Sequence, residues 1–421
     1  MRAWILAALL AALILASVPP PAEAGPEPPS PLATAYNTQR KLARATDGTL
    51  YAAVTKNVSG TPTVRVLATT DGTAWTTLPP PSTTGLASDR SSLAIDSQGR
   101  LHLVWTELAI DGGQVFHSRY DGAWSVPTQL SHSPGYAGFP SLAVDAQDRA
   151  HVDWYGFDGA FYQIYYRRLD ASGWTNETAL TNEAVDATNP ALALGPDGRV
   201  HIAWFRQNRQ GTLNEVAYLR LSGATTEEIR TVSRPGIDAI DPSLVVDGAG
   251  TVHVAYAVLE GGESRIEVVE RPPGGTWSAP VFASPAGLGA LHPSLAIDRG
   301  GSLRLAWEGT DGEIYAQARG GSWSPPARLS SGGANRYPNA RWAQNFNPQC
   351  PADVGVDVVW THEEGGTRDL AWTSLASSAP CGDSGPSLDA ILAVAGVGLL
   401  AVVVGTTALL ARRRSRTPPP E

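Results

Sequence analysis

The sequence predicts an all-β fold, a seven-bladed β-propeller of four-stranded antiparallel blades, and three observations predict it. One phrase returns seven times, about every fifty residues: an apolar run, a turn, and a second run that usually ends in His-x-x-Trp. Each copy carries further strand-like runs rich in Val, Ile, Tyr and Trp, punctuated by Gly, Asp, Asn and Pro. Helical periodicity is absent between Pro31 and Leu375. A repeat of this length means a solenoid, a propeller or an array of small units. Four antiparallel strands repeated radially, apolar on both faces because each sheet is covered by two neighbours, point to the propeller.

In chain order, residues 1–24 read as a secretory signal peptide, with Arg2, an apolar stretch from Trp4 to Val18 and an Ala22-Glu23-Ala24 cleavage pattern. Residues 25–30 are a linker, and the propeller is expected over residues 31–375. Its clearest copies are SSLAIDSQGRLHLVWTE from Ser91, PSLAVDAQDRAHVDWYG from Pro140, PALALGPDGRVHIAWFR from Pro190, PSLVVDGAGTVHVAYAV from Pro242 and PSLAIDRGGSLRLAWEG from Pro293. Weaker copies flank them, KLARATDGTLYAAVTK from Lys41 and the interrupted PNARWAQ…VGVDVVWTH from Pro338. The last copy lacks a fourth strand, so Pro31–Thr38 is expected to supply it and close the ring by strand exchange. Residues 376–387 form a second linker. Within residues 388–411, Ala390 to Ala411 is an uninterrupted run of 22 apolar or small residues, enough for a single transmembrane helix. Arg412, Arg413, Arg414 and Arg416 follow, which makes residues 412–421 a cytoplasmic tail. The expected protein is a single-pass type I protein of the cell membrane, anchored by that helix, with its propeller extracellular.

Between the two ends, residues 25–387 carry 26 basic and 37 acidic side chains, and no basic patch, which argues against nucleic acid as a partner. Cys350 and Cys381 are the only cysteines. Both fall on the exported side, where disulfides persist, and are expected to bond to each other. Two cysteines without further ligands make no metal site, and neither a metal nor a cofactor is expected.

The aspartates that open the first hairpin of each copy read as turn formers rather than catalysts. The recurring Trp105, Trp154, Trp204, Tyr256, Trp307 and Trp360 read as packing between blades rather than sugar platforms. His102, His151, His201 and His253 recur three positions earlier, and their repetition points to a shared hydrogen bond with the turn aspartate.

Later hairpins read TTDGTAWTTLP from Thr69, RYDGAWSVP from Arg119, PGGTWSAP from Pro273 and RGGSWSPP from Arg319. With IYYRR at Ile164, they resemble sialidase-like propellers with Asp-box (bacterial neuraminidase, BNR) repeats, and seven-bladed propeller lectins are an equally good match. The resemblance implies the propeller fold. It transfers no catalytic residue, because the Phe/Tyr-Arg-Ile-Pro motif and the Tyr/Glu pair of sialidases have no counterpart here.

Aligning the copies places Gln39, Arg90, Phe139, Asn189, Asp241, His292 and Tyr337 around the mouth of the central channel. Glu107, Tyr155, Arg206, Glu308 and His362 form a second ring. The framework repeats while these positions differ, which suits one asymmetric ligand on the axis. The expected ligand-binding set is therefore Arg90, Glu107, Asn189, Arg206, Asp241, His292, Glu308 and Tyr337. The leading expectation is a membrane-anchored propeller that recognises a glycan or other surface molecule, such as a protein, without catalysis. One alternative is a sialidase-like glycoside hydrolase or lyase acting on extracellular glycans. Its acid/base pair would come from Glu107, Asp158, Asp241, Glu308 and Asp311, if two lie about 5–10 Å apart. Another is a structural or adhesion spacer in a surface layer.

Overall fold

Seven antiparallel sheets follow one another along the chain, and the first strand of each is innermost. The computed structural model describes residues 33–340 and 355–375, apart from residues 83, 110, 111, 209 and 299. The third blade is typical, with Ala137–Val144 innermost, then Ala150–Phe157 and Tyr162–Asp170. Its outer edge is split into two short pieces, Gly173–Trp174 and Thr178–Ala179. Four other blades also end in a two-residue outer strand, and only the fourth has a long one, Thr225–Thr231. Such short edges offer little template for pairing with another chain.

The core is divided among the blade interfaces. Seven clusters of buried side chains each join two consecutive blades, the last uniting Leu42, Leu50, Ala52 and Val54 of the first blade with Val359 of the seventh. The recurring aromatics fill these interfaces, as the sequence indicated: Trp105, Trp154, Trp204, Tyr256 and Trp307 have no exposed surface. Burying each contributes about 2–3 kcal/mol.

A polar clasp repeats beside this packing. Ser141 Oγ accepts from Leu192 N of the next blade at 3.1 Å, Ser243 Oγ from Leu295 N at 2.9 Å, and Ser294 Oγ from Ala340 N at 2.9 Å. In the seventh copy Asn339 replaces the serine, and its Oδ1 accepts from Lys41 N of the first blade at 2.9 Å, which closes the ring. The bidentate pair of Arg44 with buried Asp357 reinforces that seam.

One expectation is corrected here. The described part of Pro31–Thr38 is not the outer strand of the last blade, whose sheet holds three strands among the described residues: Ala334–Ala340, Val356–Glu364 and Thr367–Leu375. Residues 33–40 instead run across the axis as a strap. Their amides and hydroxyls reach carbonyls of the innermost strands there, and Ala33 joins the core at the closing seam. The signal peptide (1–24), both linkers, the span (388–411), the tail and the Cys350–Cys381 bond lie outside the described residues.

Candidate functional site

Two polar layers sit at opposite ends of the blades. One is the first-hairpin layer, and it is repetitive. Asp145 Oδ1 accepts from Gln147 N and Arg149 N, each at 2.9 Å, while Oδ2 lies 3.0 Å from His151 Nε2. His151 Nδ1 meets the Tyr166 hydroxyl at 2.7 Å. Asp96, His102 and His117 form the same relay in the second blade, and Asp247, His253 and Glu270 in the fifth. In the sixth blade Arg304 replaces the histidine on Asp298. Burial lowers the pKa of His151 and brings that of His201 down to about 4, so both are neutral hydrogen-bonding groups. The turn aspartates and the histidines are structural, as their repetition indicated.

The axial layer is different. Arg90, Phe139, Asn189, Asp241, His292 and Tyr337 all adopt left-handed backbone, with φ between 51° and 55°. Each falls where the register of its innermost strand slips. A bulge of this kind leaves residues unpaired and re-aims a side chain. None of the six is glycine, so each position costs on the order of 1–2 kcal/mol, recovered from the surrounding ring.

The bulge residues meet around the axis. His292 Nδ1 lies 2.8 Å from Asp241 Oδ2, an ion-pair contact without hydrogen-bond geometry, which leaves Nε2 for another group. The His292 and Tyr337 rings are 4.7 Å apart, and Arg90 stacks on Phe139 at 4.6 Å. Tyr36, on the strap, joins the two halves, 4.8 Å from Phe139 and 5.5 Å from Tyr337. Beyond Phe139 the row continues through Tyr155 at 5.1 Å to Tyr162 at 5.2 Å. An aromatic path thus runs over the mouth from His292 to the third blade.

Electrostatics differ along this path. Burial opposes charge on His292, but Asp241, with the charge of Glu308, more than offsets it and raises the pKa. Across the mouth Arg90 pairs with Asp89. Burial raises the carboxyl of Asp89 against the pull of Arg90, and brings the neighbouring Lys41 down to about 7. Arg90 Nε and Tyr136 Oη are both buried without a hydrogen bond among the described residues. Tyr136 has space only because two neighbours are glycine. A Cβ on Gly138 would fall 2.2 Å from its phenol oxygen and one on Gly113 2.6 Å from its ring.

The expected ligand-binding residues divide accordingly. Arg90, Asp241, His292 and Tyr337 come together at the mouth, and Asn189 occupies the equivalent bulge of the fourth blade, 9% exposed. Glu308 lies directly behind, accepting from Tyr337 N at 3.0 Å. Glu107 is buried and engaged by Thr84 and Trp105 at 2.8 and 3.2 Å, so it braces the rim. Arg206 pairs with Glu183 and donates to Thr231 on the rim of the fourth blade. Asp158 and Asp311 are turn residues, binding Ala160 N and Glu313 N respectively. Alignment of the repeats missed Tyr36, Asn37 and Tyr136, because the first two lie on the strap and the third precedes the aligned phrase. Among the described residues no group of three or more His, Cys, Asp or Glu side chains is placed to hold a metal ion.

No family model and no curated protein matches the sequence. Solved structures do. A polysaccharide lyase of family PL25, ulvanlyase bound to -[GlcA(1-4)Rha3S]-, superposes with a TM-score of 0.61 at 10% identity, covering 85% of this chain and 96% of its own. The polysaccharide lyase Uly1 gives 0.54 at 9% identity, covering 81% and 90%. An α-L-arabinanase from Penicillium chrysogenum, complexed with arabinobiose, gives 0.50 at 12% identity, covering 67% and 92%. The chain shares its fold with polysaccharide lyases. This comparison corrects the leading expectation of a propeller that binds without catalysis, since these neighbours are enzymes of polysaccharides and favour the glycan-acting alternative.

Proposed function

We propose that the chain is a polysaccharide lyase whose site is the axial mouth and whose substrate is a uronate-containing glycan. The observation that carries this reading is the pairing of His292 with Asp241 beside Tyr337 and Tyr36, with Arg90 on the other side of the aromatic path. β-Elimination at a uronate needs three things. A cation must face the carboxylate, a base must take the proton on the carbon next to it, and an acid must protonate the departing glycosidic oxygen. Arg90 supplies the first. His292 Nε2, its ring oriented through Nδ1 by Asp241, takes the carbon-bound proton as the electron pair forms the new double bond and the C–O bond breaks. The phenol of Tyr337 or Tyr36 gives a proton to the leaving oxygen. One proton is removed and one delivered, with no water or oxidant consumed.

A hydrolytic reading fits less well. It calls for two carboxyl groups flanking the bond, and of the axial carboxylates Asp241 is engaged by His292 and Glu308 by the Tyr337 backbone. The aromatic row from Tyr337 to Tyr162 offers stacking surfaces to successive sugars. Incubation with a panel of acidic and neutral polysaccharides tests the proposal. The expected outcome is ultraviolet absorbance from unsaturated uronate ends on an acidic substrate. New reducing ends without that absorbance would make the enzyme a hydrolase and overturn the lyase reading.

A further inference from the structure

The strap is buried far more than a segment outside any sheet should be: Ala33, Thr34, Ala35, Asn37, Thr38 and Gln39 are each at most 4% exposed. The axial bulges explain why. Where the register slips, backbone carbonyls leave the ladder, and a buried carbonyl needs another donor. The strap provides several. Thr34 Oγ1 donates to Arg336 O at 3.3 Å, beside the Tyr337 bulge, and Gln39 Nε2 donates to Arg90 O at 3.1 Å. Asn37 serves two bulges at once. Its Nδ2 donates to Asp241 O at 3.0 Å and to Pro293 O at 2.7 Å, the latter directly following His292.

We propose that Asn37 is a positioning residue that sets the Asp241–His292 pair, so that the strap is a working part of the axial site. The pair joins two blades, and its geometry depends on where two bulged backbones sit. The register slips over just these residues, between Ile240 and Ser243 in one strand and between Leu291 and Ser294 in the other. A single amide nitrogen tying both backbones fixes their separation. The adjacent Tyr36 is held between Phe139 and Tyr337 by the same strap. The groups facing His292 are Asp241 from the fifth blade, Glu308 from the second strand of its own blade and Tyr337 from the seventh, with Tyr36 against Tyr337. Of these only Asp241 touches the ring as a charge partner, so loosening that one contact removes the main support for the imidazolium.

For catalysis the proposal rests on the lyase reading, but its test does not. The imidazole titration of His292 is followed by NMR in histidine-labelled full-length protein, assigned by His292→Gln, with His151 and His201 as reporters of an intact ring. In Asn37→Ala the His292 pKa should fall by about half a unit or more as Asp241 is released, while the two reporters stay in place. Asn37→Ser, which can keep one of the two hydrogen bonds, should give a smaller fall, and it serves alone should Asn37→Ala fail to fold. An unchanged His292 titration in a folded Asn37 variant would overturn the proposal. Because no substrate is involved, that result is separable from failure of the protein to cleave any polysaccharide.

Discussion

The two polar layers of the blades use similar residues to opposite ends. At the first hairpins, histidines meet aspartates in the same relay blade after blade, as Asp145 with His151 and Asp247 with His253. At the axis one histidine meets one aspartate, His292 with Asp241, each alone at its bulge position around the ring. In the repeated layer burial lowers the pKa of His151, whereas that of His292 is raised because its aspartate prevails over burial. A pair that recurs in the second, third and fifth blades, with Arg304 in its place in the sixth, belongs to the framework. A pair that occurs once, on backbone that all blades share, is available for chemistry.

The contrast can be broken in both layers. The largest expected effect is at the axis: His292→Ala should reduce turnover by roughly 100- to 10,000-fold with little change in melting temperature, as read by steady-state kinetics and thermal denaturation. The base must be neutral, so kcat/KM should climb with pH through the raised His292 pKa, its acid limb lying above the ordinary histidine value. Asp241→Asn should move that limb down. Next comes the interface packing. Trp154→Ala should cost about 3–5 kcal/mol in urea denaturation, without selective damage to the axial pair.

A smaller effect belongs to the repeated histidines. His201 resists protonation until about pH 4, whereas the unfolded chain takes its proton near 6.5. The unfolded state therefore binds more protons between those values, and stability should fall as pH drops through that window, by at most about 1.4 kcal/mol per pH unit from this group. His201→Gln should flatten that slope in denaturation curves measured across the window. Smallest is Tyr36→Ala, which removes one ring from the aromatic path. It should raise KM about fivefold, in line with about 1 kcal/mol of stacking, with a lesser change in kcat.

How much of this was legible in the sequence follows the same division. Blade number, the buried tryptophans and the aspartate–histidine bonds were readable because they recur at a fixed period, and repetition separates framework from accident. The axial ring was readable by subtraction, as the positions that fail to repeat. Its left-handed backbone was not, since Arg90, Asp241 and His292 carry no glycine to announce a positive φ. The strap was misjudged as an outer strand. A short polar segment such as Ala33–Arg40 carries no alternation to assign it, and its partners, Asp241 and Pro293, lie 204 and 256 residues away. The sequence points to binding alone because it lacks the sialidase motifs, and the contact of His292 with Asp241 joins two blades that only the fold brings together.

The central claim, that the axial mouth eliminates rather than hydrolyses, is tested most directly by the mass of the products. Oligosaccharides released from a uronate-containing polysaccharide by the wild-type protein, and absent with His292→Ala, should be lighter by one water than hydrolytic fragments of the same length. Products of full hydrolytic mass, or equal release by His292→Ala, would contradict the account.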